Sequence, residues 1–275
     1  MAFKYFSHNG ELKPASEAVI PLSNIEYSYG FGVYETIRVA DKIPYFLLDH
    51  IERLGESARI IGLEHGFSGE QLETHILELI KKNDVETANL KILLIGAKEK
   101  ENAQLFILCL NPLFPDKKLY REGATFVTYE YERAFPHAKT LNMLQSYLAY
   151  RKAKEADCYD ALLINREGCI TEGTRTNFFC IKGKTLITPP ESEILLGVTR
   201  KAVLKAATQN GYELEEKVVT WGDLRNADGA FVTSTSSKII PVRRIDDQEF
   251  HGPEALKELM RLYDAFLDTC NGKME

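Results

Sequence analysis

The chain has no cysteine pair of the Cys-x-x-Cys kind. Its five cysteines, Cys109, Cys158, Cys169, Cys180 and Cys270, are odd in number and irregular in spacing. That pattern fits neither a disulfide framework nor a zinc site, and it reads as reduced thiols in a cytosolic protein, with no metal expected. Long apolar runs are also missing. The most apolar stretch, Leu105 to Leu110, is far too short to span a bilayer, and Met1 to Leu12 is polar without a signal-peptide core. The expectation is a soluble, cytoplasmic protein without a membrane partner. Basic residues are scattered and the formal net charge is -6, which argues against a nucleic-acid surface. Internal repeats and low-complexity tracts are absent as well.

What is present is 275 residues, 44% hydrophobic and 27% charged, enough for a sizeable core and two domains. Tyr34 to Ala40 reads as a strand, followed by a turn at Asp41-Lys42 and a second strand from Ile43 to Leu47. Asp49 to Leu63 carries Ile51, Leu54, Ala58 and Ile61 at helical spacing, and Ser68 is a plausible N-cap for a helix to about Lys82. Leu90 to Ile95 and Gln104 to Leu110 read as strands. Asn111 to Asp116 holds two prolines and is the best linker candidate. The expected division is a small domain over 1–112, a linker over 113–120 and a larger domain over 121–275. Within the latter, Ala124 to Tyr129 is a strand, Leu141 to Glu155 a helix, Gly197-Val198-Thr199 the start of a helix through Thr208, Ala230 to Thr233 a buried strand and Pro253 to Cys270 a closing helix. The class is α+β.

The segment Thr171-Glu172-Gly173-Thr174-Arg175-Thr176-Asn177-Phe178-Phe179 sets a carboxylate, a cation and several polar groups between two β-forming runs. If Glu172 is buried it needs a cationic partner, since an unpaired carboxylate in a dry site would be protonated. Gly30-Phe31-Gly32 lacks the third glycine of a dinucleotide fingerprint and leads into a strand, so the dinucleotide reading fails and a glycine turn remains. Arg53 follows Asp49 by four residues, either as an ordinary surface pair or as an anion site. Gly197-Val198-Thr199 offers backbone N–H groups and a dipole end to a phosphate, or simply a threonine N-cap. Thr233-Ser234-Thr235-Ser236-Ser237 is a second hydroxyl cluster or a plain polar loop. Lys139, near Pro136 and ahead of an apolar helix, is either a solvated charge or a carbonyl nucleophile in a cleft.

Taken together these segments resemble the class IV (fold type IV) pyridoxal-phosphate aminotransferases: branched-chain aminotransferases, D-amino-acid aminotransferases and aminodeoxychorismate lyases. The resemblance rests on Tyr29 to Glu35, His50 to Leu54, Ala138 to Asn142, Thr171-Glu172-Gly173 with Asn177-Phe178, Leu196 to Arg200, and Thr233-Ser234-Thr235 leading to Ile240-Pro241-Val242. It implies a smaller N-terminal α/β domain and a larger C-terminal domain with a mainly antiparallel, barrel-like sheet. It implies pyridoxal 5′-phosphate as cofactor, with Lys139 as the Schiff-base lysine and Glu172 as partner of the pyridine nitrogen. Arg53, Val198, Thr199 and Thr235 match the phosphate cup, and Asn177 lies near the cofactor. Tyr34 and Ser236 fall on the substrate side.

The implied reaction is ping-pong transfer of an amino group from an amino acid to a 2-oxo acid, in a homodimer whose sites lie at the domain cleft. Leu90-Lys91-Ile92-Leu93-Leu94 departs from the Tyr-x-Arg pattern of branched-chain members. Ala97 to Glu101 lacks the Arg and His of well-known D-amino-acid enzymes, though Lys98 or Lys100 could substitute. Arg175 stands where a small residue is usual and is a candidate for the substrate carboxylate, with Lys238 a second candidate or a solvated charge. A lyase releasing pyruvate and a catalytically inactive binding protein remain alternatives.

Overall fold

Alternation along two strands decides the architecture of the N-terminal part. The computed structural model describes residues 3–112 and 114–271, without the side chains of 270 and 271. Met1, Leu113 at the expected start of the linker, the Cys270 side chain and residues 272–275 lie outside the described residues. Residues 1–113 with 137–143 form one compact unit, and 114–136 with 144–275 a second.

The first unit contains β1 (Tyr5–His8), β2 (Glu11–Pro14), α1 (Ile25–Ser28), β3 (Gly32–Ala40), β4 (Ile43–Pro44), α2 (Leu47–Ile60), α3 (Gly69–Asn83), β5 (Thr87–Ile95) and β6 (Gln104–Leu110). Its six strands make one antiparallel sheet in the order β2-β1-β6-β5-β3-β4. Val33, Ile37 and Val39 of β3 and Leu90, Ile92 and Leu94 of β5 share a buried cluster with Leu54, Ala58, Leu72, Ile76 and Leu79 of α2 and α3. Each large side chain so buried contributes about 1.5–3 kcal/mol. The register pairs Tyr34 with Leu93 and Thr36 with Lys91, so these residues occupy the opposite face of the sheet.

The expected strand over Ile43 to Leu47 is cut short. Only Ile43–Pro44 pairs, Phe46 adopts a left-handed φ of 54°, and Leu47 already opens α2. Pro44 has no N–H with which to continue the ladder. Helix α2 ends at Ile60 rather than Leu63, with Gly62 left-handed just beyond at φ 68°. Ser68 does cap α3: its Oγ accepts from the Gln71 N–H at 3.2 Å, while the Ser68 N–H donates to Gln71 Oε1 at 2.9 Å. Leu141, expected to open a helix, instead runs beside β3 with Lys139 and Thr140, and the helix begins only at Leu144. The Tyr34 N–H donates to Lys139 O at 2.9 Å, and the Leu141 N–H to Gly32 O at 2.8 Å. Backbone spent on a strand edge is not available to a helical turn.

The second unit contains α4 (Lys117–Glu122), β7 (Ala124–Glu130), α5 (Leu144–Glu155), β8 (Asp160–Ile164), β9 (Ile170–Gly173), β10 (Asn177–Lys182), β11 (Thr185–Thr188), α6 (Val198–Thr208), β12 (Glu213–Glu216), α7 (Trp221–Asn226), β13 (Gly229–Ser234), β14 (Lys238–Ile245), β15 (Gln248–Glu249) and α8 (Glu254–Asn271). Strands run β10-β13-β14-β7-β8-β9, and β9 pairs back onto β10, closing a barrel-like sheet of six strands. The β14–β7 and β7–β8 junctions are parallel and the other four antiparallel. Phe126, Leu162, Phe178, Val232 and Ile240 meet in its buried core. Residues of the other parity on β10 and β13, Asn177 and Thr233 among them, lie on the opposite face with Phe179 and Phe231, whose rings stack at 4.7 Å. Among the described residues no helix is long and apolar enough to cross a membrane.

Candidate active site

The glycine turn ahead of β3 sets the geometry of the first unit. Gly30 has a φ of 71°, and a Cβ on Gly32 would come within 2.8 Å of Leu94 O, so both positions require glycine. The strand then sends Tyr34 and Glu35 to opposite faces. Glu35 is fully buried and gripped from α2: Arg53 Nε donates to Oε1 at 2.6 Å, Arg53 Nη2 to Oε2 at 2.8 Å, and His50 Nδ1 lies 2.8 Å from Oε2. His50 and Arg53, three residues apart, share one helical face. Burial pushes the Glu35 carboxyl up, but the Arg53 charge and the hydrogen bonds outweigh it and hold the group well below the usual carboxylate range. Burial lowers the pKa of His50, so a neutral imidazole donates its Nδ1–H to Glu35. Arg53 is thus a guanidinium whose plane is set by a buried carboxylate.

On the other side of β3, Lys139 Nζ lies 4.5 Å from the centroid of the Tyr34 ring and Lys91 Nζ lies 3.6 Å from it. The Lys139 N–H donates to Ser57 Oγ at 3.1 Å, so the lysine's backbone is tied to α2 as well as to β3.

In the second unit, register places Glu172, Asn177 and Thr233 level across β9, β10 and β13. Glu172 is buried. Its Oε1 accepts from Arg133 Nε at 2.5 Å and its Oε2 from the Leu195 N–H at 3.2 Å, while Arg133 Nη2 also donates to Thr174 O at 3.0 Å. Asn177 Nδ2 donates to Leu195 O at 2.7 Å. Both side chains therefore hold the loop that enters α6. Gly197 is the N-cap of that helix without a side-chain cap, and a Cβ there would overlap Asn177 Oδ1. Thr199 is not the capping hydroxyl; it lies inside the first turn and is buried. The opening N–H groups of α6 and the positive end of its dipole favour an anion. Thr176 Oγ1 and Thr233 Oγ1 are buried without a hydrogen-bond partner among the described residues, as hydroxyls waiting for a ligand would be.

Thr235 and Ser236 sit half-buried in the turn after β13, and Ser237 Oγ is 2.9 Å from Tyr159 Oη. Arg175 is exposed, its guanidinium carbon 4.5 Å from the Tyr150 ring centroid. Lys238 pairs with Asp264 at 2.7 Å, a surface charge satisfied by a surface charge. Lys98 and Lys100 are exposed. Among the described residues no group of three His, Cys, Asp or Glu side chains could hold a metal ion. The thiols of Cys109, Cys158, Cys169 and Cys180 are free and buried.

The family description amino-transferase class IV matches residues 32–245. The chain belongs to the class IV aminotransferases. It is 36% identical over 250 residues to the D-alanine aminotransferase of Bacillus licheniformis, covering 87% of this chain and 88% of that protein. The branched-chain aminotransferase of Thermoproteus uzoniensis, solved with norvaline, superposes with a TM-score of 0.86 at 29% identity, covering 98% of this chain and 96% of that one. The T.th. branched-chain amino acid aminotransferase, solved with pyridoxamine 5′-phosphate, gives 0.89 at 27% identity over 99% and 96% of the two chains.

In this class IV aminotransferase the first unit gathers Tyr34 and Lys139, with Arg53 locked by Glu35. The second gathers Glu172, Asn177, Val198 and Thr199 around one loop and helix start. Four residues escaped the sequence reading in any role: Arg133, Glu35, His50 and Lys91. The demand for a cation at Glu172 was legible, but nothing local distinguishes Arg133 from the other arginines. Lys91 did leave a signal, as the single charge in the run Leu90 to Ile95.

Proposed function

We propose that this aminotransferase uses pyridoxal 5′-phosphate to move the amino group of a D-amino acid of the alanine type to a 2-oxo acid. The observation that carries the reading is the row Glu172, Asn177 and Thr233 beside an uncapped helix start, which combines a buried carboxylate, orphaned hydroxyls and backbone N–H donors. The 36% identity to a D-alanine aminotransferase supports the substrate class, and the pyridoxamine 5′-phosphate in the T.th. structure supports the cofactor. A second reading, branched-chain L-amino acids, is favoured by the solved structures it resembles.

When bound, the cofactor supplies a carbonyl that condenses with amines and a ring that takes up electrons from the substrate Cα. Glu172 has acceptor capacity beyond Arg133 and Leu195 and would receive the ring N–H. Arg53, the Val198 and Thr199 N–H groups and the Thr199 and Thr235 hydroxyls would hold the phosphate. Asn177 fixes the loop that carries the helix start. Lys139 would bind the cofactor and then move a proton at the substrate Cα. Tyr34, Arg175 and Ser236 would face the substrate.

The test mixes holoenzyme with single D- and L-amino acids, without acceptor, and quantifies pyridoxamine phosphate. Stoichiometric conversion by D-alanine is expected. Conversion by branched-chain L-amino acids alone would sink the D-type reading, and none with either class would sink transamination. Arg175→Ala should raise the KM for the amino acid roughly tenfold to a hundredfold, as loss of a charge-assisted hydrogen bond does, while leaving cofactor affinity intact. Unchanged substrate kinetics would refute its assignment.

A further inference from the structure

We propose that Ser57 is the positioning residue of Lys139, fixing where its amine meets the cofactor while Arg53, one helical turn earlier, receives the phosphate. The assignment rests on the transaminase reading above. His50, Arg53 and Ser57 follow one another along α2 at spacings of three and four, which places them on one helical face. Arg53 and Ser57 stand about 6 Å apart along the helix axis. Each of the three has a partner on β3 or on the segment beside it. His50 and Arg53 meet the Glu35 carboxylate, and Ser57 Oγ accepts from the Lys139 N–H at 3.1 Å.

The backbone at Lys139 departs from a regular ladder to make this bond. In an antiparallel pair two residues joined by hydrogen bonds exchange both N–H···O contacts. The Tyr34 N–H does donate to Lys139 O at 2.9 Å, but the Lys139 N–H turns to Ser57 Oγ instead of returning to the strand. Ser57 is fully buried, and the inward residues beside it, Leu54 and Ala58, are apolar. A hydroxyl there costs desolvation that alanine, the better helix former, would not incur. The Lys139 N–H is the partner that offsets it.

The result is a closed frame, and every member of it belongs to the first unit. Tyr34 and Glu35 are consecutive on β3; the first holds the Lys139 carbonyl and the second holds Arg53. Arg53 and Ser57 are one turn apart on α2; the first returns to Glu35 and the second takes the Lys139 N–H. The guanidinium and the lysine backbone are thus fixed to the same two elements. Lys139 joins the cofactor by condensing its amine with the aldehyde carbon and releasing one water, which requires the amine to lie at a set distance from the phosphate site. Loss of Ser57 lets the Lys139 backbone turn and misplaces the amine, while Arg53 keeps its hold on Glu35.

The probes are pyridoxal 5′-phosphate and pyridoxamine 5′-phosphate, titrated into the whole chain freed of cofactor and followed by absorbance. Both carry the ring and the phosphate, but the second has an amine in place of the aldehyde and cannot condense with Lys139. Ser57→Ala should weaken pyridoxal phosphate roughly tenfold to a hundredfold, the scale of a small misplacement at a reacting atom, and leave pyridoxamine phosphate within about twofold. In a Lys139→Ala background the same change should move neither ligand by more than about twofold, because the amine it acts through is gone. Equal pyridoxal phosphate affinity in parent and Ser57→Ala overturns the proposal. An equal loss of both ligands assigns Ser57 to the fold alone and overturns it too, as does a loss that persists without the Lys139 amine. A parent chain that takes up neither ligand overturns the transaminase reading and this assignment with it.

Discussion

Replacing Lys139 with alanine should reduce amino transfer by roughly 10⁴-fold or more, with the fold intact, since proton transfer by a positioned base alone accounts for about 10²–10⁴. The expectation rests on the separation of this residue's backbone from its side chain. The backbone is held by the Tyr34 N–H on Lys139 O at 2.9 Å and by its own N–H on Ser57 Oγ at 3.1 Å, and neither bond uses the side chain. The side chain is half-buried with its Nζ over Tyr34, so truncation opens little core. Thermal unfolding should therefore shift by no more than the modest amount usual for surface substitutions. Borohydride treatment of the parent holoenzyme should fix the cofactor to the peptide that contains Lys139, and the alanine variant should release it on denaturation. Activity within about tenfold of the parent would mean that another amine does the work, and Lys91 would be the first to examine.

The same loop shows where sequence reasoning reaches its limit. Glycine chemistry at Gly30 and Gly32, helical spacing along Leu54 and Ala58 and the capping pattern of Ser68 are local, and each is visible in a handful of residues. The order of the motifs around Arg53, Lys139 and Glu172 was likewise legible and pointed to the family. Leu141 reads as a helix start because it begins an apolar run, yet the helix opens only at Leu144. Only the long-range pairing with β3 overrides that preference. Glu172 shows the complementary case. Burial of a carboxylate predicts a cation, and the sequence offers many, but the choice of Arg133 depends on how the loop after β7 folds back over β9. Lys91 falls between the two. A lone charge in an apolar strand is a visible anomaly, yet the aromatic ring it meets emerges only when register brings it beside Tyr34.

Glu35→Gln should be the most destabilising conservative change in the first unit. Glutamine keeps the shape but removes the charge that Arg53 Nε and Nη2 meet at 2.6 and 2.8 Å, and its amide N–H groups face donors on both sides. Breaking a buried ion pair by neutralising one partner costs about 3–5 kcal/mol, and the low end applies because Arg53 retains 12% exposure. A loss of about 3 kcal/mol lowers the unfolding temperature by roughly 10 °C in a chain of this size. The pH dependence separates the two acid–base partners. The Glu35 pKa is depressed in the folded state, so its contribution is complete above the unfolded value of about 4.3 and disappears only as pH falls through the lower folded value. The His50 pKa is also depressed, but for a base the sign reverses. The unfolded chain takes up a proton below about pH 6.5 that the buried imidazole refuses, so stability declines as pH drops from there. His8 and His65, also lowered by burial, add to the same window. His50→Asn retains a donor toward Glu35 and cannot be protonated, so its unfolding temperature should fall less steeply than the parent's from about pH 6.5 to 5. An identical slope would show that His50 is already charged in the folded protein, and the neutral donor assigned to it would then be wrong.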